Sequence, residues 1–285
     1  MGLESSISNI RQTFNPLTLT METPLIIKFL VNSIRELKNP QEVKPHNMLL
    51  EKIELNDPKH DAKQNPVLLV PGYLENPRIY YNHLDNLRRY GIVHAYWVPL
   101  YPFKTIEENS EILLKIVNDV LEKTKRREIN LIGHSMGGLV VFKNAIDNSS
   151  LIDKCIAIGS PFNGTKAANI AYNILEGLIG ESGIRELEEK GYSLEPLREM
   201  SYKSEFVKNL RINNSVDYYS IFSENDEVIL PWESSVVQGA VNININKALG
   251  LNNRGHIRML YEKNVRRIVS EISDNSLDKE RFINY

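Results

Sequence analysis

Ile129-Asn130-Leu131-Ile132-Gly133-His134-Ser135-Met136-Gly137-Gly138-Leu139 decides how the rest of the chain is read. An apolar run of strand type leads into Gly133-His134-Ser135-Met136-Gly137, and the run Leu139–Ile146 continues at helical spacing. A serine at a sharp strand-to-helix turn is lifted out of the sheet with its hydroxyl exposed. Glycines two positions either side remove the Cβ atoms that would collide where strand and helix come together. A βα turn holding a serine by chance needs neither glycine, nor the further Gly138. The stretch reads as a nucleophile elbow with Ser135 at its apex.

Working outward, the composition bounds the rest. A chain of 285 residues, 42% of them hydrophobic, can bury one large core, so one α/β domain carrying an insertion is expected. A formal net charge of -2 leaves no electrostatic footprint for nucleic acid. The single cysteine, Cys155, excludes an internal disulfide framework and a cysteine-based metal site. Its setting in Lys154-Cys155-Ile156-Ala157-Ile158 marks a buried core thiol. The N-terminus lacks a signal peptide's basic, apolar and small-residue regions. The longest apolar patch, Leu25–Val31, is interrupted by Lys28 and is far too short to span a membrane. Met1-Gly2-Leu3-Glu4-Ser5-Ser6 formally fits a myristoylation pattern, but no polybasic segment accompanies it. A cytoplasmic protein is expected, with no stable membrane insertion.

Residues 1–65 form a lead-in with a helical stripe over Pro24–Leu37 and a loosely alternating edge strand over Met48–Leu55. The core begins at Val67-Leu68-Leu69-Val70, an all-apolar run of the kind covered on both faces, followed by Pro71-Gly72-Tyr73. Pro77–Tyr90 reads as a helix closed by Gly91, and Val93–Val98 as a strand. Thr105 and Glu108 form a capping-box pair ahead of a helix with Leu113, Ile116, Val117 and Val120 on one face. After the elbow comes a strand at Cys155–Ile158. Strand–helix alternation of this kind implies right-handed crossovers and a mainly parallel sheet. The rhythm breaks after Gly159-Ser160-Pro161-Phe162-Asn163-Gly164-Thr165. About 166–214 there are only helical runs, at Ala167–Ile179, Ile184–Glu189 and Leu194–Leu210, which reads as a helical insertion. A strand at Tyr218–Phe222, a polar turn Ser223–Val228, a last strand at Ala240–Ile245 and a final helix Ile257–Ile272 complete the core.

A serine hydroxyl needs a base within hydrogen-bond reach to attack near neutral pH, and histidine oriented by a carboxylate is the usual one. Of six histidines, His46, His60 and His83 precede the elbow without a partner pattern, His94 begins a strand, and His134 lies inside the elbow as a structural residue. His256 alone lies late, in the polar loop Asn252–His256 between the last strand and the last helix. Asp226 follows the strand Tyr218–Phe222, where its ordinary role would be turn chemistry. Glu224 and Glu227 offer the same carboxylate nearby, while Asp217 lies at the wrong end of its strand.

Together Val70-Pro71-Gly72-Tyr73, Gly133–Gly138, Gly159–Thr165, Asp226 and Gly255-His256 resemble the α/β-hydrolase superfamily. Within it they resemble the lipase branch, which includes bacterial triacylglycerol lipases and the lecithin–cholesterol acyltransferase-like group. The motifs fall in order between Val67 and Ile272. The resemblance implies an α/β-hydrolase fold with a mostly parallel central sheet flanked by helices and a helical cap. It implies Ser135 as nucleophile, Asp226 as acid and His256 as base, with the backbone amides of Tyr73 and Met136 lining the oxyanion hole. Pro71 stands where many lipases carry histidine, a form the acyltransferase-like group shares. The acid segment Asp226-Glu227-Val228-Ile229-Leu230-Pro231 departs from the usual Asp-Gly/Gln-x-Val-Pro. Some members bind calcium or zinc; no ligand spacing here carries a metal over, and no cofactor is expected.

The insertion is expected to cover the sheet's C-terminal edge, where such folds bind ligands. Tyr73, Phe162, Tyr172 and Leu175 are the candidate substrate contacts. The apolar first helix of the cap reads as an acyl-chain tunnel or lid, or as ordinary packing of cap on core. Gly177, Gly180 and Gly183 permit bending. The expectation is a serine hydrolase acting on a small ester with an apolar acyl chain, in transient contact with lipid surfaces. The alternatives are an acyltransferase or thioesterase on the same triad, and an inactive binding protein, which the intact residue set disfavours.

Overall fold

The computed structural model describes residues 64–75, 77–252 and 254–282. The lead-in helix Pro24–Leu37 and strand Met48–Leu55, with His46 and His60, lie outside the described residues. Six strands form one sheet: β1 (Val67–Val70), β2 (Ala95–Trp97), β3 (Ile129–His134), β4 (Ile152–Ile158), β5 (Asp217–Phe222) and β6 (Val241–Asn244). Their spatial order is β2-β1-β3-β4-β5-β6, and every pairing is parallel. Parallel neighbours require long crossovers, and helices on both faces supply them.

The unbroken apolar character of the strands follows from this arrangement. Val67, Leu69, Ile132 and Ile156 face one cluster, shared with Leu84 and Leu87 of α1 (Tyr81–Arg89). Leu68, Val70, Leu131 and Cys155 face the other, shared with Val117 of α2 (Ile106–Thr124) and Phe142 of α3 (Met136–Asp147). A strand covered on both sides has no solvent face to mark with polar residues. Cys155 is fully buried in this core, and burial raises its thiol well above the ordinary range. The capping box forms as expected: Thr105 Oγ1 accepts from the Glu108 amide at 3.1 Å and the Glu108 carboxylate from the Thr105 amide at 2.8 Å.

The chain leaves β1 for β2 on one side and returns to β3 on the other. Strand order therefore reverses at β1, and the crevice opened by such a reversal lies beyond the carboxyl ends of β1 and β3. Those ends carry Pro71-Gly72-Tyr73 and Ser135.

Two helical expectations need correction. The single helix Leu194–Leu210 is instead α5 (Glu195–Glu199) and α6 (Glu205–Asn209). The backbone between them is committed to another segment: Ser201 bridges Thr165, and the Lys203 amide donates to the Asn163 carbonyl at 2.9 Å. Ser204 then caps α6 by accepting from the Val207 amide. The final helix Ile257–Ile272 is likewise divided into α8 (Arg258–Tyr261) and α9 (Lys263–Ser273). Glu262 stands at the break, caps α9 and receives Arg254 Nε at 2.8 Å. Between β6 and α8 lies α7 (Ile245–Leu249), capped by the Asn244 side chain. α4 (Lys166–Glu189) is two helical runs broken by a kink at Gly180 (φ 67°, ψ 171°), which falls between the first two expected runs of the insertion.

One contact ties the helices after β4 to the core. The Glu199 carboxylate accepts from the Ile106 amide, the first of α2, at 2.7 Å. Burial pushes its pKa up to about 7; the Ile106 amide opposes this, and the charges of Glu195, Glu107 and Glu108 add to it. An acid whose pKa is higher folded than unfolded favours the fold below the unfolded value, and that contribution is lost as pH rises through about 7. Glu199→Gln keeps an acceptor for Ile106 without the buried charge. Thermal unfolding is expected to show a higher Tm than wild type at pH 8, with most of the gain gone at pH 5.

Candidate active site

Ser135 stands between the last residue of β3 and the first of α3, with φ 52° and ψ -122°. Backbone of that kind costs a non-glycine residue roughly 1–3 kcal/mol, so the surroundings must impose it. They do so by close approach. A Cβ on Gly133 would run into the Gly137 carbonyl, and one on Gly137 into the carbonyl oxygens of Val70 and Pro71. The start of α3 is thus pressed against the ends of both β3 and β1. The loop after β1 is pressed against the elbow in turn, since a Cβ on Gly72 would stand 3.0 Å from Ser135 Cβ. The Ser135 amide donates to the Ile158 carbonyl at 3.0 Å, fixing the turn against β4.

Asp226 and His256 come together from separate loops. Asp226 follows β5 and His256 precedes α8. His256 Nδ1 lies 2.8 Å from Asp226 Oδ2, and both side chains are almost wholly buried. Asp226 Oδ1 accepts the amides of Val228 and Ile229 at 2.9 and 2.8 Å, so the turn chemistry and the histidine partnership use different oxygens of one carboxylate. Burial alone would raise the Asp226 pKa; the His256 charge and hydrogen bond and the two amides outweigh it and hold the group below its ordinary range. Burial alone would lower the His256 pKa, but the Asp226 charge and hydrogen bond, with Glu75 and Glu227 contributing, raise it.

The neighbouring carboxylates are otherwise engaged. Glu227 Oε2 accepts the His256 amide at 2.8 Å and so holds the backbone of the histidine loop. Glu224 binds the Asn244 side-chain amide at 2.8 Å. Asp217, at the opposite end of β5, pairs with Lys279. Only Asp226 reaches the ring.

Two neighbours of Ser135, Gly159 and His134, stand beside the Asp226–His256 pair. His134 and Ile158 are register partners, so Ser135 and Gly159 follow side by side. A Cβ on Gly159 would stand 3.2 Å from Asp226 Oδ2 and 3.3 Å from His256 Nδ1. The rings of His134 and His256 have centroids 4.5 Å apart. The turn after β4 also secures the acid loop. Thr165 Oγ1 donates to the Val228 carbonyl at 2.5 Å, receives the Leu230 amide at 3.0 Å and caps α4.

The remaining residues singled out from sequence take varied places. Met136 is the first residue of α3, where amides have no intrahelical acceptor and the helix end favours negative charge. Tyr73 is buried edge-on to Phe103, with ring centroids 6.0 Å apart. Phe162 packs on Phe142 at 4.3 Å between centroids, and Leu175 is fully buried in the core. Tyr172 borders a groove of about 360 Å³ with Asn169, Arg198, Glu199 and Phe206; neither Ser135 nor His256 lines it. His83 Nε2 donates to the Leu260 carbonyl at 2.9 Å, and burial lowers its pKa to about 3. Glu75 and the backbone role of Glu227 escaped the sequence reading, and Gly159 entered it only as part of the motif Gly159–Thr165. Glu227 left a mark there as an alternative carboxylate and as a departure from the usual acid segment; Glu75 left none.

A strained serine at the switch point of a parallel sheet, with a buried carboxylate–histidine pair at the same edge, is an arrangement the α/β-hydrolase fold provides. Comparison with known proteins agrees: residues 65–176 match the family model described as alpha/beta hydrolase fold. The chain resembles Aspergillus fumigatus lipase B with a TM-score of 0.58 and 18% identity, covering 79% of this chain and 57% of that one. It resembles the propeptide form of Bacillus licheniformis lipase BlEst2 with a TM-score of 0.53 and 16% identity, over 73% of this chain and 50% of that one. A Listeria innocua gene product gives 0.51 and 16%, over 73% and 93%. The chain thus spans little more than half the length of the fungal lipase. It has the α/β-hydrolase fold, and lipases are among its structural neighbours. Among the described residues, no helix is long and apolar enough to cross a membrane.

The Asp226 contact makes a direct prediction. Imidazole titration by NMR is expected to place His256 above the ordinary 6.5, and Asp226→Asn is expected to lower its midpoint by removing the charge that favours the protonated ring.

Proposed function

We propose that the chain is a serine carboxylesterase of lipase type, acting through an acyl-enzyme on Ser135. The observation that carries this reading is the His256–Asp226 contact at 2.8 Å. With Nδ1 committed to a buried carboxylate, Nε2 is the ring nitrogen left to take a proton. Ser135 Oγ attacks the ester carbonyl and its proton passes to His256 Nε2. Asp226 stabilises the imidazolium without itself being protonated. The developing oxyanion is received by the amides of Met136 and Tyr73, each such donor being worth roughly 3–4 kcal/mol. In support of Tyr73, the preceding amide, that of Gly72, is already taken by Glu75 at 2.6 Å. As the tetrahedral adduct collapses, His256 gives its proton to the departing alcohol oxygen. A water then gives a proton to His256 and attacks the acyl carbonyl; the acid leaves and Ser135 recovers its proton.

On this reading α4 to α6 form a cap over the carboxyl edge of the sheet. The exposed Ile170 and the apolar flank around it favour an ester with an apolar acyl group. Phe162 and Leu175 serve this cap by packing. The reading of residues 66–285 as one hydrolase core with a cap inserted at about 166–214 belongs to the same proposal.

A fluorophosphonate probe is expected to label Ser135 in folded protein, and Ser135→Ala is expected to abolish labelling and lower kcat by roughly 10⁴-fold or more. Labelling or ester cleavage that survives the substitution would place the nucleophile elsewhere. Running the same assay with an added alcohol separates transfer from hydrolysis by the product formed. Across p-nitrophenyl esters, kcat/KM is expected to rise from acetate to octanoate; a preference for acetate would exclude an acyl-binding cap.

A further inference from the structure

The proposed chemistry uses one carboxylate and one histidine, yet a second such pair lies against it. Glu75 is on the loop between β1 and α1, and its side chain is only 9% exposed. Its Oε2 accepts the Gly72 amide at 2.6 Å and the Tyr80 hydroxyl at 3.2 Å. Its Oε1 lies 2.6 Å from Nδ1 of His134, which has no exposed surface at all. On the far side of that ring, Nε2 donates to the carbonyl oxygen of His256 at 3.3 Å. One buried carboxylate therefore touches the loop after β1, the residue before Ser135 and, through one imidazole, the loop of His256.

Both nitrogens of His134 face acceptors, a carboxylate oxygen and a carbonyl oxygen, whereas a neutral imidazole has a single N–H. Glu75 Oε1 and His134 Nδ1 face each other inside the protein, each the nearest polar partner the other has. A carboxylate this deep is tolerable only with partners, and His134, the Gly72 amide and the Tyr80 hydroxyl supply them. Burial would raise the Glu75 pKa, but the charge and hydrogen bond of His134 and the Gly72 amide hold it below the ordinary range. A lone carboxylate at this depth would be costly, and so would a lone imidazolium. Each keeps the other in place.

We propose that Glu75 is a positioning residue for the ester-cleaving site, holding the loop that supplies the Tyr73 amide in its working place before substrate arrives. The proposal rests on the serine-hydrolase reading of Ser135. Donors to an oxyanion are effective in so far as they need no rearrangement at the moment of reaction. By taking the Gly72 amide, Glu75 fixes the peptide immediately ahead of Tyr73. By engaging His134, it locks that loop to the elbow, so that nucleophile and donor keep one separation. Loss of this clamp loosens the transition state's surroundings and leaves the ground-state contacts of the acyl chain alone.

Glu75→Gln tests this, with active sites counted by fluorophosphonate so that rates refer to competent protein. Glutamine still accepts the Gly72 amide but removes the carboxylate charge that faces His134. On p-nitrophenyl octanoate, kcat is expected to fall about 10- to 100-fold while KM stays within about threefold. The affinity for an alkyl trifluoromethyl ketone, whose adduct on Ser135 carries an oxyanion, is expected to fall by the same factor as kcat. Unchanged kcat per site and unchanged ketone affinity would overturn the proposal, even with a lowered Tm, because a purely structural carboxylate predicts that pattern. If the variant does not fold, Tyr80→Phe removes one donor from the same carboxylate and is expected to lower both quantities together, roughly two- to tenfold. No change in either would overturn the proposal as well. Wild-type protein that neither labels nor binds the ketone would instead refute the hydrolase reading on which this one stands.

Discussion

The closeness of β1, β3 and α3 is the constraint on which this molecule depends. Where a Cβ at Gly133 or Gly137 would meet backbone, the helix start and the two strand ends are as near as polypeptide allows. That nearness forces Ser135 into a backbone conformation serine disfavours, and it brings the loop after β1 over the same residue. Packed interiors pass such demands on instead of absorbing them, because they contain few voids in which to relax. The strain at the apex is thus maintained by two fully buried strands and the helix packed across them.

Around the apex, polar groups from distant parts of the chain are joined by a short series of hydrogen bonds. Thr165 holds the acid loop, Glu227 holds the backbone of His256, and Asp226 divides its oxygens between its own turn and the imidazole. Nearly all of these groups are withdrawn from water. A buried hydrogen-bonding group left without its partner typically costs 1–3 kcal/mol, so each link is enforced by the penalty of breaking it. The loops therefore gain from one another a definition that their sequences lack individually.

This division explains what could be read in advance. The elbow was legible because its glycines answer a steric demand local to a few residues. The parallel sheet was legible because strands covered on both faces carry runs such as Val67–Val70 and Leu131-Ile132. His256 and Asp226 could be picked out by order along the chain, and their contact lies within the described structure. Glu75 was invisible: a glutamate in a loop ordinarily faces solvent, and nothing nearby in the sequence announces that His134 will stand beside it. The break at Glu262 and the division of Leu194–Leu210 were missed for a related reason. Helical periodicity runs through both, and only bonds to remote segments, Arg254 in one case and Asn163–Thr165 in the other, interrupt it. Local patterns predict what local sterics decide.

The order of the strands carries a consequence for the chain as it is made. No two neighbours in this sheet are joined by a hairpin, so β1 gains a partner only after a full crossover has been synthesised. The elbow can close once β3 and α3 have followed β1 from the ribosome. At that stage neither Asp226 nor His256 has been translated. The nascent protein thus passes through a long interval with Ser135 at its turn and no Asp226–His256 pair beside it; on the proposed serine-hydrolase reading, reactivity waits until the last strand and the loop beyond it have docked.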